Sequence, residues 1–158
     1  MSKLSTCLWF DTQAEEAANF YIEVFRQAGQ EAAIGQVSRR GDAGAVLTIT
    51  FNLAGQEFMG LNGGPHFKGS PAVSVVVNCA DQAEVDHFWD RLCEGGAPSQ
   101  CGWLTDRYGF SWQIVPVALR QLMTGNPDGA KRAMAALMKM AKLDIAALRR
   151  AYEGQDAI

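Results

Sequence analysis

Hydrophobic residues recur along the chain at two spacings, every second residue as in strands and every third or fourth residue as in helices. In the first half of the chain the pattern is strand-like, then helical, then strand-like again. Residues 5–10 form a short apolar run typical of a strand. Apolar residues at spacings of three and four predict an amphipathic helix over residues 12–27, with Thr12 as N-cap and Glu15 as its capping-box partner. Alternating β-branched and threonine residues then predict three strands, at 32–38, 45–53 and 56–62.

The same order of elements restarts after a Gly- and Pro-rich break over residues 62–71. A Val-rich strand is predicted at 72–78, a helix at 82–94 with Asp81 as its N-cap, and two or three short strands within 97–115. Asp106 is the predicted cap of a tight turn in the last of these strands. The helices carry a weak repeat at a separation of 68 residues, in which Asn19-Phe20-Tyr21 corresponds to His87-Phe88-Trp89.

The C-terminal part departs from this pattern and is predicted to be helical. A short helix is expected at 116–123, a second from 128 to about 142 behind Asn126 and Pro127, and a third after Asp144. The second helix is rich in methionine, which suits an adaptable contact surface. Packing on the sheet or on a second subunit is favoured, because apolar stripes at helical spacing usually face a core.

Composition and charge narrow the functional classes. The 158 residues carry a net charge of −3 and are 48% hydrophobic, so we expect one globular domain with no nucleic-acid partner. No signal peptide or membrane span is recognisable. The four cysteines form no C-x-x-C pair, which favours reduced thiols in a cytoplasmic protein over a zinc site.

Three strings give the chain a family resemblance. They are Leu8-Trp9-Phe10-Asp11, the run from Phe58 to Pro65, and the long run from Cys101 to Pro116. Together they resemble PhnB-like proteins of the glyoxalase/bleomycin-resistance/dioxygenase, or vicinal-oxygen-chelate, superfamily, a group also labelled demethylubiquinone methyltransferase-like. The string from Met138 to Ile145 is similar to the same group.

The resemblance implies a fold and an assembly. The fold is α+β, with two βαβββ modules forming a curved, incomplete mixed-sheet barrel around a cleft, followed by C-terminal helices, and the protein is expected to be a homodimer. Residues 1–158 then form a single domain, with module one at about 4–64, module two at about 70–116 and a helical tail at 117–158.

The resemblance also places the strand positions from which metal-dependent members take their ligands. They fall at Thr6, Gly60, Val73 and Gln113, of which only Gln113 is a plausible ligand. We therefore predict no metal and no cofactor at these positions.

Strand alternation extends these positions into a predicted ligand-binding face. Residues two apart share a face, so Ser111 is expected beside Gln113, with Trp112 turned towards the helices. By the same rule Leu8 joins Thr6, with Trp9 behind, while Phe58 and Asn62 join Gly60. The predicted ligand-binding residues are Thr6, Leu8, Phe58, Asn62, Ser111 and Gln113, an apolar set with a few polar groups.

Only one residue is singled out for catalysis. His66 lies in the Gly/Pro break and would suit a general base at neutral pH, although no carboxylate partner is evident and a surface histidine is the simpler interpretation. Methyl transfer is disfavoured, because the glycine run at 60–64 leads into Pro65 and a loop rather than a helix. The strands and helices also do not alternate as a doubly wound sheet requires.

Three functions remain open from the sequence. The first is a binding protein with a metal-free cleft for a small molecule. The second is a glyoxalase- or dioxygenase-like isomerase or lyase that uses a divalent metal or His66, a hypothesis that rests on analogy. The third is a dimeric interaction module that works through the Met-rich C-terminal helices.

Overall fold

The computed structural model describes residues 2–42 and 44–155, which form an α+β fold with two compact units that divide between Gly69 and Ser70. This confirms the predicted class and the two βαβββ modules. In the first unit, strand β1 (Thr6–Phe10), helix α1 (Ala14–Gln27) and strands β2 (Ala32–Arg39), β3 (Val46–Leu53) and β4 (Gln56–Asn62) follow in chain order.

Module one is a four-stranded mixed sheet in the order β1-β4-β3-β2, in which β1 and β4 run parallel. Its core lies between the sheet and α1. Tyr21 and Val24 of the helix are fully buried, and Phe51 and Phe58 of the sheet stack with ring centroids 5.4 Å apart. Each such buried side chain contributes ~1.5–3 kcal/mol of hydrophobic free energy.

Module two repeats this order with shorter strands. Strand β5 (Ser74–Cys79) precedes helix α2 (Gln82–Cys93), which is followed by β6 (Ala97–Pro98), β7 (Trp103–Thr105) and β8 (Ser111–Pro116). The sheet order is β5-β8-β7-β6, and β5 and β8 are again parallel. Strand β5 begins two residues later than predicted, so Val73 lies before the strand and is 72% exposed.

The tail consists of helices α3 (Val117–Met123), α4 (Pro127–Leu137) and α5 (Ile145–Glu153). Leu137, Leu143 and Leu148 form its buried cluster. The prediction that the second tail helix reaches about residue 142 is wrong, because α4 ends at Leu137. Beyond it, the carbonyl groups of Met140 and Ala141 accept hydrogen bonds from the backbone N–H groups of Cys101 and Gly102.

Four of the predicted caps can be compared with the structure. The side chains of Asp81, Asn126 and Asp144 accept hydrogen bonds from the first turns of α2, α4 and α5, as predicted. Thr12 is not the N-cap of α1. The N-cap position falls on Gln13, and the Ala14 N–H instead donates to Oδ1 of Asn62, at the end of β4.

Candidate ligand site on the open sheet faces

In each module the helix covers one face of the sheet, and the other is called its open face here. In module one the covered face holds Leu8 and Phe10 of β1, which are 8% and 3% exposed. A Cβ atom on Gly60 would lie 3.1 Å from the Cβ of Ala14 in α1. The strand register places Phe58 on the same side, where it is 2% exposed.

This finding corrects the predicted face of module one. Leu8 and Phe58 are core residues beneath α1, so the prediction that they face a ligand is wrong in its geometry. Thr6 and Asn62 share the covered face by register, with Thr6 half-buried at its edge. Asn62 accepts from the Ala14 N–H and donates to the Val46 carbonyl oxygen at 3.0 Å, which makes it a structural bridge between α1 and β3.

The modules differ by one residue in the connection between the first strand and the helix. Three residues join β1 to α1, whereas two join β5 to α2. The helices repeat at 68 residues, but the buried strand residues Phe10 and Cys79 are 69 apart. Because side chains alternate at period two, a shift of one residue exchanges the two faces of a strand.

The open face of module one carries Trp9, which the sequence pattern assigned to the core. Its indole Nε1 donates to the Gly64 carbonyl oxygen at 2.9 Å, and its ring meets Phe67 edge-on with centroids 5.0 Å apart. Cys7 lies beside it on the same face, and partial burial raises the pKa of its thiol. The signal that could have revealed Trp9 is Gly63, where a Cβ would lie 2.2 Å from the indole ring.

In module two the predicted orientation agrees with the structure. Trp112 is 1% exposed on the covered face, between Ser111 and Gln113 on the open face. The Gln113 side-chain amide donates to the Ser74 hydroxyl oxygen at 2.9 Å, across the parallel strand pair. Two predicted site residues, Ser111 and Gln113, therefore lie together on one polar face.

Ser111 opens into a cavity of about 390 Å³ in module two. The residue is only 4% exposed, and it contributes its hydroxyl group to the lining of this cavity. The remaining lining residues are all uncharged, and they are Pro71, Ser99, Gln100, Cys101, Trp103, Leu104 and Thr105. The Ser111 hydroxyl can therefore donate a hydrogen bond to, or accept one from, a group that enters the cavity.

Module one has a cavity of a different character, about 570 Å³ in volume, beside the start of α1. Asn62 lines it together with Asp11, Glu15, Arg39 and Arg40, so charges of both signs face the space. The Arg39 and Glu15 side chains approach to 4.0 Å across it, at half-exposed positions where such pairs contribute little. The structure thus places Asn62 and Ser111 in separate cavities, one in each unit.

The candidate metal positions do not gather donors. Gly60 is packed against α1, Val73 precedes its strand, and Thr6 is on the covered face. Across the described parts of the chain, no three His, Cys, Asp or Glu side chains are grouped closely enough to hold an ion. Gln113 is the member of the set that faces open space, and its amide is already bonded to Ser74.

His66 is exposed in the loop that follows β4, near Gly64. It forms no hydrogen bond or ion pair with the residues that the structure describes. Its role as a general base stays a prediction, because a general base must lie within hydrogen-bond reach of the proton that it abstracts.

The buried carboxylate of module two has a structural role. Oδ1 of Asp106 accepts from the backbone N–H groups of Tyr108 and Phe110, and Oδ2 accepts from the Trp112 indole at 2.8 Å. This confirms Asp106 as the cap of the tight turn. The interaction fixes Trp112 on the covered face, and it thereby orients Ser111 and Gln113 towards the open face.

Comparison with known proteins identifies the family. The family model described as 3-demethylubiquinone-9 3-methyltransferase matches residues 2–115. A PhnB protein from Bacillus cereus is 34% identical, and the match covers 73% of this chain and 100% of that one with a TM-score of 0.66. The chain belongs to the PhnB-like family of the vicinal-oxygen-chelate superfamily.

More distant structures share the fold. A protein from Pseudomonas aeruginosa is 18% identical over 73% of this chain and 98% of its own, with a TM-score of 0.60. The fosfomycin resistance protein FosX from Mesorhizobium loti is 13% identical over 77% and 98%, with a TM-score of 0.54. No curated protein matches the sequence. Among the described residues, no helix is long and apolar enough to cross a membrane.

Proposed function

We propose that this PhnB-like protein binds a small organic molecule on the open face of module two without the help of a metal ion. The observation that carries the proposal is the cavity of about 390 Å³ in this module, which is lined by uncharged residues that include Ser111. This volume lies in the range of ligand sites, which typically enclose ~300–1,000 Å³.

The lining of the cavity supports a binding role. Trp103 offers an aromatic surface, while Ser111 and Thr105 offer hydroxyl groups. In such a site the apolar part of a ligand packs on the aromatic ring, and the few polar groups fix the orientation of the ligand. Gln113 continues the same face next to Trp103, its strand partner.

Enzymatic alternatives receive less support from the geometry. A metal-dependent isomerase or lyase would need donors at the candidate positions, where glycine, valine and threonine stand. Methyl transfer, which the family description names, would need a cofactor site, and the glycine run at 60–64 ends β4 and leads into a loop rather than a helix. Fosfomycin resistance belongs to a protein that is 13% identical and does not carry over to this chain.

Ligand-observed NMR with benzamide, phenol and benzyl alcohol tests the proposal. We expect saturation transfer to these neutral probes, unchanged by EDTA, and about fivefold weaker binding in Ser111→Ala, since one neutral hydrogen bond contributes ~1 kcal/mol. Ser5→Ala, at an exposed site in module one, is the control. Equal binding by both variants, or binding that requires a divalent metal, would contradict the proposal.

Assembly and location form a second part of the proposal. We propose a cytoplasmic homodimer, supported by the family resemblance and by four free thiols. Strand β2 is also an edge of its sheet, and exposed edges favour pairing with another chain. Sedimentation equilibrium should give a mass near 34 kDa, about twice the 17.1 kDa of the chain. A monomer at micromolar concentration would refute the dimer.

A further inference from the structure

We propose that the module-two cavity selects uncharged ligands over charged ligands of the same shape, and that the C-terminal tail controls this selectivity. The tail does so because it holds the turn Cys101–Gly102, which forms one wall of the cavity. The inference rests on the proposed binding function and adds the ligand class and the element that controls it.

The turn at Cys101 and Gly102 has a backbone that requires support. Both residues are left-handed, with φ of +60° at Cys101 and +84° at Gly102. A residue with a side chain seldom adopts this conformation unless its surroundings impose it. At Gly102 a Cβ would lie 3.0 Å from the Ile114 carbonyl oxygen and 3.2 Å from the Leu143 side chain, so only glycine fits.

The tail supplies that support directly. The N–H groups of Cys101 and Gly102 donate to the carbonyl oxygens of Met140 and Ala141 at 2.8 and 2.9 Å. The Cys101 sulfur also lies 3.8 Å from the Met138 sulfur. Without these carbonyls, two neighbouring amides would lose their partners, and the left-handed turn would lose the bonds that favour it.

The supporting segment is itself anchored to α2 by a small group of contacts, called the latch here. The Gln82 side chain donates to the Leu143 carbonyl oxygen at 3.0 Å and accepts from the Ile145 N–H at 2.8 Å. The Lys142 ammonium lies 3.3 Å from carboxylate oxygens of both Asp86 and Asp90. Since none of these residues lines the cavity, the latch can be weakened without altering the lining chemistry.

The wall that the tail supports completes the uncharged cavity. Ser99, Gln100 and Cys101 lie on the side of the turn, opposite Thr105 and Ser111 on the strands. A charged ligand would leave water for a site without a counter-charge, which is strongly unfavourable, whereas an amide or hydroxyl can pair with Ser111 and Thr105. Benzamide and benzoate have nearly the same shape and differ in charge, so they separate these two cases.

The tail also lies outside the region that defines the family. The family model ends at residue 115, before α3, whereas the turn and the strands of the cavity lie inside it. The wall is therefore built from residues within the range of the family model, and it is held in place by a tail that lies outside that range.

The experiment compares the full-length protein with Gln82→Ala/Lys142→Ala, in which the latch is weakened. Arg132→Ala is the matched control, because Arg132 binds the carbonyl oxygens of Ala151 and Tyr152 elsewhere in the tail. Binding of benzamide and benzoate is measured by NMR titration. Peptide-resolved alkylation of Cys101 by iodoacetamide reports the turn independently of any ligand, and the buried Cys79 reports global unfolding.

We expect the wild type to prefer benzamide over benzoate by at least tenfold, and the latch variant to lose most of this preference. Cys101 should alkylate at least threefold faster in the latch variant while Cys79 stays protected, and Arg132→Ala should resemble the wild type. If Cys79 also reacts, the milder Lys142→Met is used with the same criteria.

Three results would overturn the inference. The first is benzoate binding as tight as benzamide binding in the wild type. The second is a latch variant that keeps its selectivity and its slow Cys101 alkylation, and the third is an Arg132→Ala variant that changes both as much as the latch variant does. Failure of the binding function is distinct, since it appears as equal binding by wild type and Ser111→Ala. A protein that responds to Ser111→Ala but not to the latch variant keeps the proposed function and refutes the role of the tail.

Discussion

Module one and module two follow the same order of elements but expose different chemistry on their open faces. In module one this face carries Trp9 and Met59, with Trp9 held by the loop that contains Gly64. In module two the strand register places Gln113 at the position of Met59, bonded to Ser74 and next to Ser111. At these positions module one presents an indole and a thioether, whereas module two presents hydrogen-bonding groups beside a cavity.

The modules also begin their helices differently. Helix α2 is capped locally by Asp81, two residues after its strand, whereas the first N–H of α1 is satisfied by Asn62 from the last strand of the module. The longer connection in module one leaves no local side-chain cap, and a residue 48 positions away takes that role. Equivalent elements can thus share a fold while their polar contacts are assigned by tertiary structure.

The largest expected effect tests which face of module one is covered. Phe58→Ala should lower the free energy of unfolding by ~3–5 kcal/mol, because Phe58 is buried against Phe51 beneath α1. Met59→Ala, one residue along on the open face, should cost less than about 1 kcal/mol. Urea unfolding followed by tryptophan fluorescence measures both losses. Similar losses in the two variants would contradict the assignment of Phe58 to the covered face and Met59 to the open face.

The capping contrast predicts an intermediate effect. Asn62→Ala removes an acceptor for Ala14 and a donor for Val46 in a partly buried setting, and it should cost ~1–3 kcal/mol. Asp81→Ala removes one exposed cap and should cost ~1 kcal/mol. Thr12→Ala is the control and should change stability by less than ~0.5 kcal/mol. A loss at Thr12 equal to that at Asn62 would restore Thr12 as the cap.

The smallest effect concerns Lys142 and depends on pH. The hydrogen bond from Gln82 lowers the pKa of Asp86. Partial desolvation opposes this effect, and the nearby Lys142 ammonium adds to it. Desolvation works against the charged ammonium, but hydrogen bonds to Asp90 and Asp86 outweigh it and raise the pKa of Lys142. The Asp86 contribution is therefore present above the unfolded value of ~3.9 and lost as pH falls below it, while the Lys142 contribution is lost as pH rises above ~10.4.

Lys142→Met should accordingly cost ~0.2–1 kcal/mol between about pH 5 and 9, because these groups are more than one-third exposed and screened by solvent. The difference from the wild type should be smaller at pH 3 than at pH 7 and should shrink in 1 M NaCl. Urea unfolding at pH 3 and pH 7, with and without salt, measures it. A loss that is independent of pH would point to packing of the lysine stem instead of its charge.

Local pattern and side-chain chemistry were enough to predict much of the fold. The helices over 14–27 and 82–93, the caps Asp81, Asn126 and Asp144, and the turn at Asp106 all depend on residues close together in the chain. Such contacts are set by spacing and by short-range hydrogen bonds, which the sequence displays directly. The family resemblance placed Gln113 towards the cleft, and strand alternation then placed Ser111 beside it.

Only the tertiary structure decided which face of module one is open, because alternation gives two faces without saying which one the helix covers. It also decided that Asn62 caps α1, that the helix α4 ends at Leu137, and that Ser111 lines a cavity beside a turn held by the tail. Each of these depends on groups that are distant in sequence and meet in space, so no local pattern encodes them.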